Sequence, residues 1–228
     1  MPTATDTSAP PLWFRLPPGY YDLAAFDTAD FDMVAGVVLP SILGTEEAVE
    51  RSMNELGVAV SLLVAMRDQA DAHTSIGLHP DGNDGASISL FSLSVTRIEP
   101  RTPALAAAQT ALSITDSPTW STNTVKQVEL PIGMPAVLIS GLLAAPPTDL
   151  LEHAEIDAPP CEVFQARLAV PFPTGGHIAV ADLTSAATRH SESYTTILEC
   201  IAQTMAFSPP APLAVPSRRP SRLLELFQ

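Results

Sequence analysis

The sequence has few charged residues, and basic residues are the scarcer kind. Only 16% of the chain is charged, and 25 acidic against 11 basic side chains give a formal net charge of −14. This negative field repels phosphate backbones and anionic membrane surfaces, so we expect neither nucleic-acid binding nor membrane binding. With nucleic acids and membranes excluded as partners, we expect the partner to be another protein.

Cysteine is also scarce, since Cys161 and Cys200 are the only two. Two cysteines are too few for a disulfide framework or a thiolate zinc site. The longest apolar runs, such as Val34–Leu39 and Ala136–Ala145, fall far short of the roughly 20 residues of a spanning helix. The N-terminal residues lack the basic and apolar regions of a signal peptide. These absences predict a cytoplasmic protein with reduced thiols.

Motifs of catalysis and cofactor binding are missing as well. There is no G-x-S-x-G, G-x-x-x-x-G-K-[ST], G-x-G-x-x-G or H-E-x-x-H. The segment Asp81–Gly85 is similar to the start of a calcium loop. However, Gly85, Ala86 and Ser92 stand where that loop needs a ligand, a glycine and a glutamate. A hairpin connection explains the segment, so we expect no metal site and no cofactor.

A cysteine hydrolase using Cys161 and His177 is one catalytic alternative, because Cys161, His177 and Asp182 are the residue types of a nucleophilic triad. Against it, Cys161 follows Pro159-Pro160 in a predicted loop, with no helix N-terminus behind it to lower the thiol pKa. Cys200 falls within a predicted amphipathic helix, where it is interpreted as a packed small hydrophobe.

His73 and His79 are the other residues with possible metal chemistry. They are predicted to lie on one solvated face of a strand, together with Ser75 and Gly77. At about 3.3 Å per residue the two histidines are roughly 20 Å apart, too far to share a metal ion. We therefore interpret them as surface residues.

Hydrophobic periodicity predicts one domain with extended ends. Residues 1–12 are predicted to be disordered, residues 13–208 to form a single α+β domain, and residues 209–228 to form a Pro-rich linker and a short tail. Helices are predicted over Thr45–Leu56 and Pro103–Leu112. A third helix carries an apolar stripe: Tyr194, Ile197, Leu198, Ile201 and Met205.

The strand pattern predicts a mainly antiparallel sheet with helices packed on it, because hairpins outnumber strand–helix–strand units. Within Ala86–Ile98 the apolar phase switches between Leu90 and Phe91, which predicts a β-bulge. The predicted strands are Val58–Met66, Thr74–Leu78, Ala86–Ile98, Trp120–Leu130, Gly133–Ser140, Phe164–Phe172 and one that starts at Ile178.

The last third of the chain resembles a known architecture. The strand Gly133–Val137, the hairpin of Phe164–Phe172 with His177–Leu183, and the helix through Tyr194–Leu198 follow one another in order. This order resembles the C-terminal half of the PsbP-like α/β sandwich found in actinobacterial proteins. PsbP-like domains are mostly non-catalytic binding modules and chaperones. The resemblance therefore implies a sandwich with a binding role, and no active-site residues are carried over.

The C-terminal segment combines three basic and four apolar side chains behind a Pro-rich spacer: Arg218, Arg219, Arg222, Leu223, Leu224, Leu226 and Phe227. A segment this short does not hold as an isolated helix in water. Three interpretations remain open. It folds back into a groove of its own molecule, it docks on a partner with the arginines steering the encounter, or it is a cloning remnant.

Taken as a whole, the sequence favours a non-enzymatic partner-binding or adaptor protein with a C-terminal docking segment. Its binding residues would be those seven basic and apolar side chains. An acidic, immunity-type inhibitor of a basic toxin is an alternative, and it requires the acidic side chains to cluster on one face. The cysteine hydrolase is the remaining alternative.

Overall fold

Seven strands and two α-helices make up the part of the chain that the structure describes. The structure is a computed structural model, and its description covers residues 10–22, 71–81, 85–99, 102–116, 120–144 and 162–209. Within these ranges the protein is mostly sheet with some helix, which agrees with an α+β class. The helix predicted over Thr45–Leu56 and the strand predicted over Val58–Met66 lie outside the described residues.

The described elements follow the sequence pattern closely. The strands are β1 (Tyr20–Asp22), β2 (Asp71–Asp81), β3 (Gly85–Arg97), β4 (Trp120–Glu129), β5 (Pro135–Ala144), β6 (Glu162–Pro171) and β7 (His177–Ser185). The helices are α1 (Pro103–Thr115) and α2 (Ser191–Ala202), and a 3-10 turn, Thr188–His190, precedes α2. Neither α1 nor α2 is long and apolar enough to span a membrane.

All neighbouring strands pair antiparallel, in the order β1-β2-β3-β7-β6-β5-β4.

The predicted β-bulge in β3 is wrong, because its register with β2 and β7 is continuous across Leu90 and Phe91. The irregularity lies in β2 instead, between Asp71 and His73. The phase of β3 switches because both of its faces are buried, so apolar residues of either parity are stable there.

The two helices cover opposite faces of the sheet. Helix α2 packs over β6 and β7, and we call this side the α2 face. Its core contains Phe91, Leu168 and Leu183, all buried against Leu198. Helix α1 packs over β5 and β6 on the other side, the α1 face, where Ile114 meets Ile139. Successive side chains of a strand point to opposite faces of the sheet, so each face has its own hydrophobic core.

The two ends of the predicted domain meet in the structure. Trp13 pairs with Ala206 through two backbone hydrogen bonds of 2.9 Å. Gly19 then turns the chain into β1 with φ +95°, a conformation that favours glycine. Its carbonyl accepts a hydrogen bond from the Leu78 amide, and a Cβ at this position would lie 2.8 Å from the Leu78 oxygen. Glycine is therefore required where β1 joins β2.

Truncation of the α2 stripe tests its place in the core. Ile201 is 1% exposed, whereas Ile197 is half-buried. We expect Ile201→Ala to lower the free energy of unfolding by about 2–5 kcal/mol, because it leaves a cavity, and Ile197→Ala to cost about half of that or less. Urea titration of both variants measures the difference. Equal losses, or a loss well under about 1 kcal/mol at Ile201, would contradict this packing.

Candidate functional site

A cluster of polar side chains is buried on the α2 face, where β1, β2 and β3 meet α2. Its members come from four elements, and we call them the His79 cluster: Tyr20, His79, Ser87, Ser89 and Tyr194. The antiparallel register places His79 opposite Ser87, and Gly77 opposite both Tyr20 and Ser89. The two serines and Tyr194 are at most 1% exposed. The centre of the cluster is therefore buried, and Tyr20 and His79 at its edge are half-buried.

Hydrogen bonds connect the members of the cluster. Ser89 Oγ lies 2.8 Å from His79 Nε2 and 3.1 Å from Tyr20 Oη. Tyr194 Oη donates to Ser87 Oγ over 2.9 Å. The His79 ring also meets the rings of Tyr20 and Tyr194 edge-on, at centroid distances of 5.3 and 5.5 Å. Across the described ranges, every buried side-chain nitrogen or oxygen has a hydrogen-bond partner.

Gly77 makes the room that this cluster occupies. A Cβ at Gly77 would lie 2.6 Å from His79 Nε2, 2.6 Å from Ser89 Oγ and 2.8 Å from Tyr20 Cζ. Carbon atoms do not approach their neighbours so closely without displacement. The hydrogen-bonded groups therefore pack directly over the bare backbone of β2, and any side chain here would separate them.

Burial favours the neutral forms of the titratable members. Desolvation raises the pKa of Tyr20 far above its usual value, although the hydrogen bond with Ser89 acts in the opposite direction. Burial also lowers the pKa of His79, and the nearby His190 lowers it further. Near neutral pH the cluster therefore holds an uncharged imidazole between uncharged hydroxyl groups.

An ion pair closes the cluster at the end of β2. The Asp81 carboxylate accepts hydrogen bonds from Arg189 Nη2 at 2.6 Å and from His190 Nε2 at 2.8 Å. The bond from Arg189 is the main reason that the pKa of Asp81 is lowered; burial opposes it. Asp81 also begins the segment that is similar to a calcium loop. In the ranges described, no group of three or more His, Cys, Asp or Glu side chains could hold a metal ion.

Ser89 and His79 have the spacing of a nucleophile and its general base, yet the arrangement is closed. Ser89 has no exposed surface, and its Oγ already bonds Tyr20 as well as His79. A substrate carbonyl would reach this oxygen only if the side chains of Tyr20 and His79 moved away from it. The geometry therefore makes the His79 cluster a polar part of the core that joins β1, β2, β3 and α2.

The interpretation of His73, Ser75, Gly77 and His79 as a solvated face is wrong. Ser75 and Gly77 are buried and both histidines are half-buried. His73 Nε2 lies 2.5 Å from Ser75 Oγ, and its ring packs edge-on against Phe14 at 5.3 Å. The reason is that residues 10–22 cover this face. The pattern within β2 alone contains no information about that contact.

The triad suggested by the sequence does not assemble around His177. His177 and Asp182 are five residues apart in β7, so their side chains lie on opposite faces of the sheet. His177 packs against Phe172 at 6.0 Å, whereas Asp182 accepts a 2.6 Å hydrogen bond from Arg167 Nε. Burial raises the pKa of Asp182, and Arg167 opposes this. Cys161 lies outside the described residues.

A groove of about 350 Å³ lies between β4 and α2 on the α2 face, and we call it the β4–α2 groove. Two polar contacts cross it: Lys126 Nζ to Glu199 Oε1 at 2.6 Å, and Gln203 Nε2 to the Glu129 carbonyl at 3.3 Å. Cys200 is exposed here, so its interpretation as a packed hydrophobe is wrong. The full lining is Lys126, Gln127, Val128, Glu129, Thr196, Glu199, Cys200 and Gln203.

The outer side of α1 carries no charge, and exposed apolar residues lie there beside the exposed Gln109 and Ser113. None of its 13 residues is Asp, Glu, Lys or Arg. Leu105 and Leu112 are 47% and 62% exposed, with the exposed Ala108 between them at helical spacing. On the same side of the sheet, Val125 of β4 is 53% exposed. We call Leu105, Ala108, Leu112 and Val125 the α1 surface. Contiguous exposed apolar patches are a common feature of interaction sites.

The binding residues predicted from the sequence, Arg218–Phe227, lie outside the described residues. Sequence reasoning missed both the His79 cluster and the α1 surface. The sequence of β3 contained one signal for the cluster. Ser87 and Ser89 are polar residues on the same face of an otherwise apolar strand. The absence of charge from Pro103–Thr115 was a signal for the surface, because an ordinary surface helix carries charged residues on its outer face.

Substitution of Gly77 by alanine tests how tightly the cluster is packed. The new methyl group would displace His79, Ser89 and Tyr20, so we expect Gly77→Ala to destabilise the protein by about 2 kcal/mol or more. Gly176 is the matched control, because a Cβ there has no neighbour within 4 Å. Thermal and urea unfolding of both variants measure the effect. Similar stability of the two variants would show that the cluster has spare room.

The stability of the protein should decrease in mild acid because of His79. A lowered pKa means that the unfolded chain takes up the proton at a higher pH than the folded protein does. The contribution of His79 is therefore complete above the usual histidine pKa of 6.5 and is lost as the pH falls through the lowered pKa. We expect the free energy of unfolding to fall between about pH 7 and pH 5.

The comparison of His79→Gln with His177→Gln assigns this pH dependence. The glutamine side chain of the first variant has no proton to take up in this range, so the slope should become flatter in that protein. The second variant removes the half-buried histidine on β7 and is the control for the loss of one histidine. An unchanged slope in His79→Gln, or equal flattening in both variants, would assign the acid sensitivity to other groups.

Comparison with known proteins finds similarity in structure only. No family model matches the sequence, and no curated protein matches it. Among solved structures, the crystal structure of LpqN, described as involved in cell envelope biogenesis of Mycobacterium tuberculosis, aligns with a TM-score of 0.45 and 11% identity. The alignment covers 90% of this chain and 88% of that chain. At this level of similarity the neighbour carries no argument about function.

Proposed function

We propose that the protein is a non-enzymatic partner-binding module and that the α1 surface is where another protein docks. The observation that carries the proposal is the exposure of Leu105 and Leu112 on a helix without a single charged residue. Full burial of a leucine side chain contributes about 1.5–3 kcal/mol, so two leucines provide a substantial part of a binding free energy.

The charge of the protein supports this location. The chain carries a net charge of −14, so most of its surface repels an approaching acidic protein. The α1 surface contains no charge of either sign, so apolar contact there involves no desolvation of an ion. Interface cores are depleted in charged residues in the same way.

A binding role also agrees with the resemblance of the C-terminal third to PsbP-like sandwiches, which are mostly non-catalytic binding modules and chaperones. The hydrolase alternative has no support among the described residues, because His177 and Asp182 lie on opposite faces of β7. Docking of Arg218–Phe227 on a partner stays a prediction.

The acidic inhibitor alternative is not favoured by a specific observation. It requires acidic side chains that are available to a basic partner. Asp81, Asp182 and Glu199 are instead paired with Arg189, Arg167 and Lys126 of the same molecule. For the remaining acidic residues, a role in binding a basic partner stays a prediction.

Leu112→Asp and Ser113→Asp form a matched pair that tests the proposal. The two neighbouring positions are both exposed on α1 and receive the same charge, but only Leu112 belongs to the α1 surface. We expect Leu112→Asp to reduce partner capture from a lysate of the native host about tenfold or more, the equivalent of about 1.4 kcal/mol. Ser113→Asp should leave capture nearly unchanged.

Thermal unfolding supplies the control for folding. Leu112 is largely exposed, so neither variant should change the melting temperature by more than about 2 °C. Equal capture by Leu112→Asp and the wild-type protein would show that the α1 surface is not the docking site.

A further inference from the structure

Residues 10–22 lie over β2 and β3 on the α2 face, and we call them the N-terminal strap. Near its start, Trp13 pairs with Ala206 beyond the end of α2, and the Arg15 amide donates a hydrogen bond to Thr204 Oγ1 over 2.9 Å. Near its end, the strap forms β1, which pairs with three residues of β2. The contact between the strap and the sheet therefore depends mainly on side chains.

Two aromatic side chains of the strap each pack against a histidine of β2. Phe14 meets the His73 ring and Tyr20 meets the His79 ring, both at a centroid distance of 5.3 Å and close to edge-on. The rings of Phe14 and Tyr20 also lie 5.7 and 6.3 Å from Phe91, which is fully buried in β3. The strap therefore covers Phe91, and a histidine lies beneath each of its two aromatic contacts.

The two histidines differ in what surrounds them. His73 faces a carboxylate of the strap itself, because Asp22 Oδ2 lies 3.9 Å from His73 Nδ1. A proton on His73 would therefore attract the strap. His79 instead packs against the rings of Tyr20 and Tyr194 and lies 2.8 Å from Ser89 Oγ. These tyrosine and serine side chains are uncharged near neutral pH, so they cannot compensate a charge on His79.

The charged neighbours of His79 come from the turn before α2 and from the end of β2. Burial, and then the nearby His190, lower the pKa of His79. Asp81 lies two residues further along β2, but its carboxylate already accepts hydrogen bonds from Arg189 and His190. While the strap is closed, a proton on His79 is therefore a poorly compensated charge in a partly dry site.

We propose that the N-terminal strap is an acid-released cover of the sheet. When His79 takes up a proton, Tyr20 separates from it and residues 10–22 leave β2, while the rest of the sheet and α2 stay folded. The side chains that the strap adds to the core are only partly buried: Leu12, Phe14, Leu16 and Tyr20. The fully buried part of this core comes mostly from β3 to β7 and from α2, so it stays packed without the strap. Release exposes Phe91 and creates an apolar surface that neutral pH hides.

Closure of the strap should weaken below the usual histidine pKa of 6.5. His79 binds a proton less readily under the closed strap than in the open form, where water surrounds its ring. Its contribution to closure is therefore complete above pH 6.5 and is lost as the pH falls through the lowered pKa. A single proton changes the opening equilibrium by at most about tenfold between pH 7.5 and pH 5.5.

Hydrogen exchange of backbone amides measures the opening of the strap in the full chain. The reporters are the amides of Trp13, Arg15 and Leu78, whose hydrogen bonds join the strap to the rest of the protein. After correction for intrinsic exchange, we expect them to exchange about two- to tenfold faster at pH 5.5 than at pH 7.5. At both pH values they should exchange faster than the amides of β6 and β7 and depend less on added urea, which identifies local opening.

His79→Gln and His73→Gln form a matched pair, because both remove a histidine of β2 that lies beneath the strap. We expect His79→Gln to abolish the acceleration of the reporter amides in acid. His73→Gln should keep the acceleration, since the pairing of His73 with Asp22 favours closure.

Two results with the wild-type protein alone would overturn the proposal. One is reporter rates that do not change with pH. The other is reporter amides that match those of β6 and β7 in rate and in urea dependence, because the opening would then be global. Among the variants, acceleration that persists in His79→Gln, or that disappears in His73→Gln, would also overturn it.

Discussion

The need to satisfy polar groups inside the protein governs the half of the sheet that contains β1, β2 and β3. A hydroxyl or imidazole group buried without a hydrogen-bond partner costs about 1–3 kcal/mol, so each such group fixes the position of another element. Tyr194 fixes α2 over β3 through Ser87, and Tyr20 fixes β1 through Ser89. The N-terminal segment and α2 are therefore held in place by specific contacts and not by apolar packing alone.

The α1 surface and the β4–α2 groove both lie towards the end of the sheet that is opposite the His79 cluster. The α1 surface lies on one face beside β4, and the β4–α2 groove lies on the other. Val125 and Lys126, adjacent in the sequence, belong to one each because neighbouring side chains of a strand point to opposite faces. The sheet therefore separates an end with a buried polar cluster from an end with an exposed apolar surface and a groove.

The local pattern of the sequence is sufficient for most of the described elements. Alternation predicted β6 and β7, and the stripe from Tyr194 to Met205 predicted α2, because burial on one face imposes those periods directly. The same reasoning failed for His73 and His79. Whether a polar face is solvated depends on a distant segment, here the one around Phe14, and no local period records that contact. The prediction that Cys200 is packed failed for a related reason. The exposure of its side chain depends on how α2 lies against β4.

The topology also affects how the chain is made. The two halves of the sheet are joined through β3 and β7, where Phe91 pairs with Leu183, about 90 residues later in the sequence. At a synthesis rate of about 5–20 residues per second, the ribosome completes β7 roughly 5–20 seconds after β3. During this interval the β2–β3 hairpin has an apolar strand without its final neighbour. The nascent chain therefore exposes an aggregation-prone edge, and a holding chaperone on the ribosome would protect it.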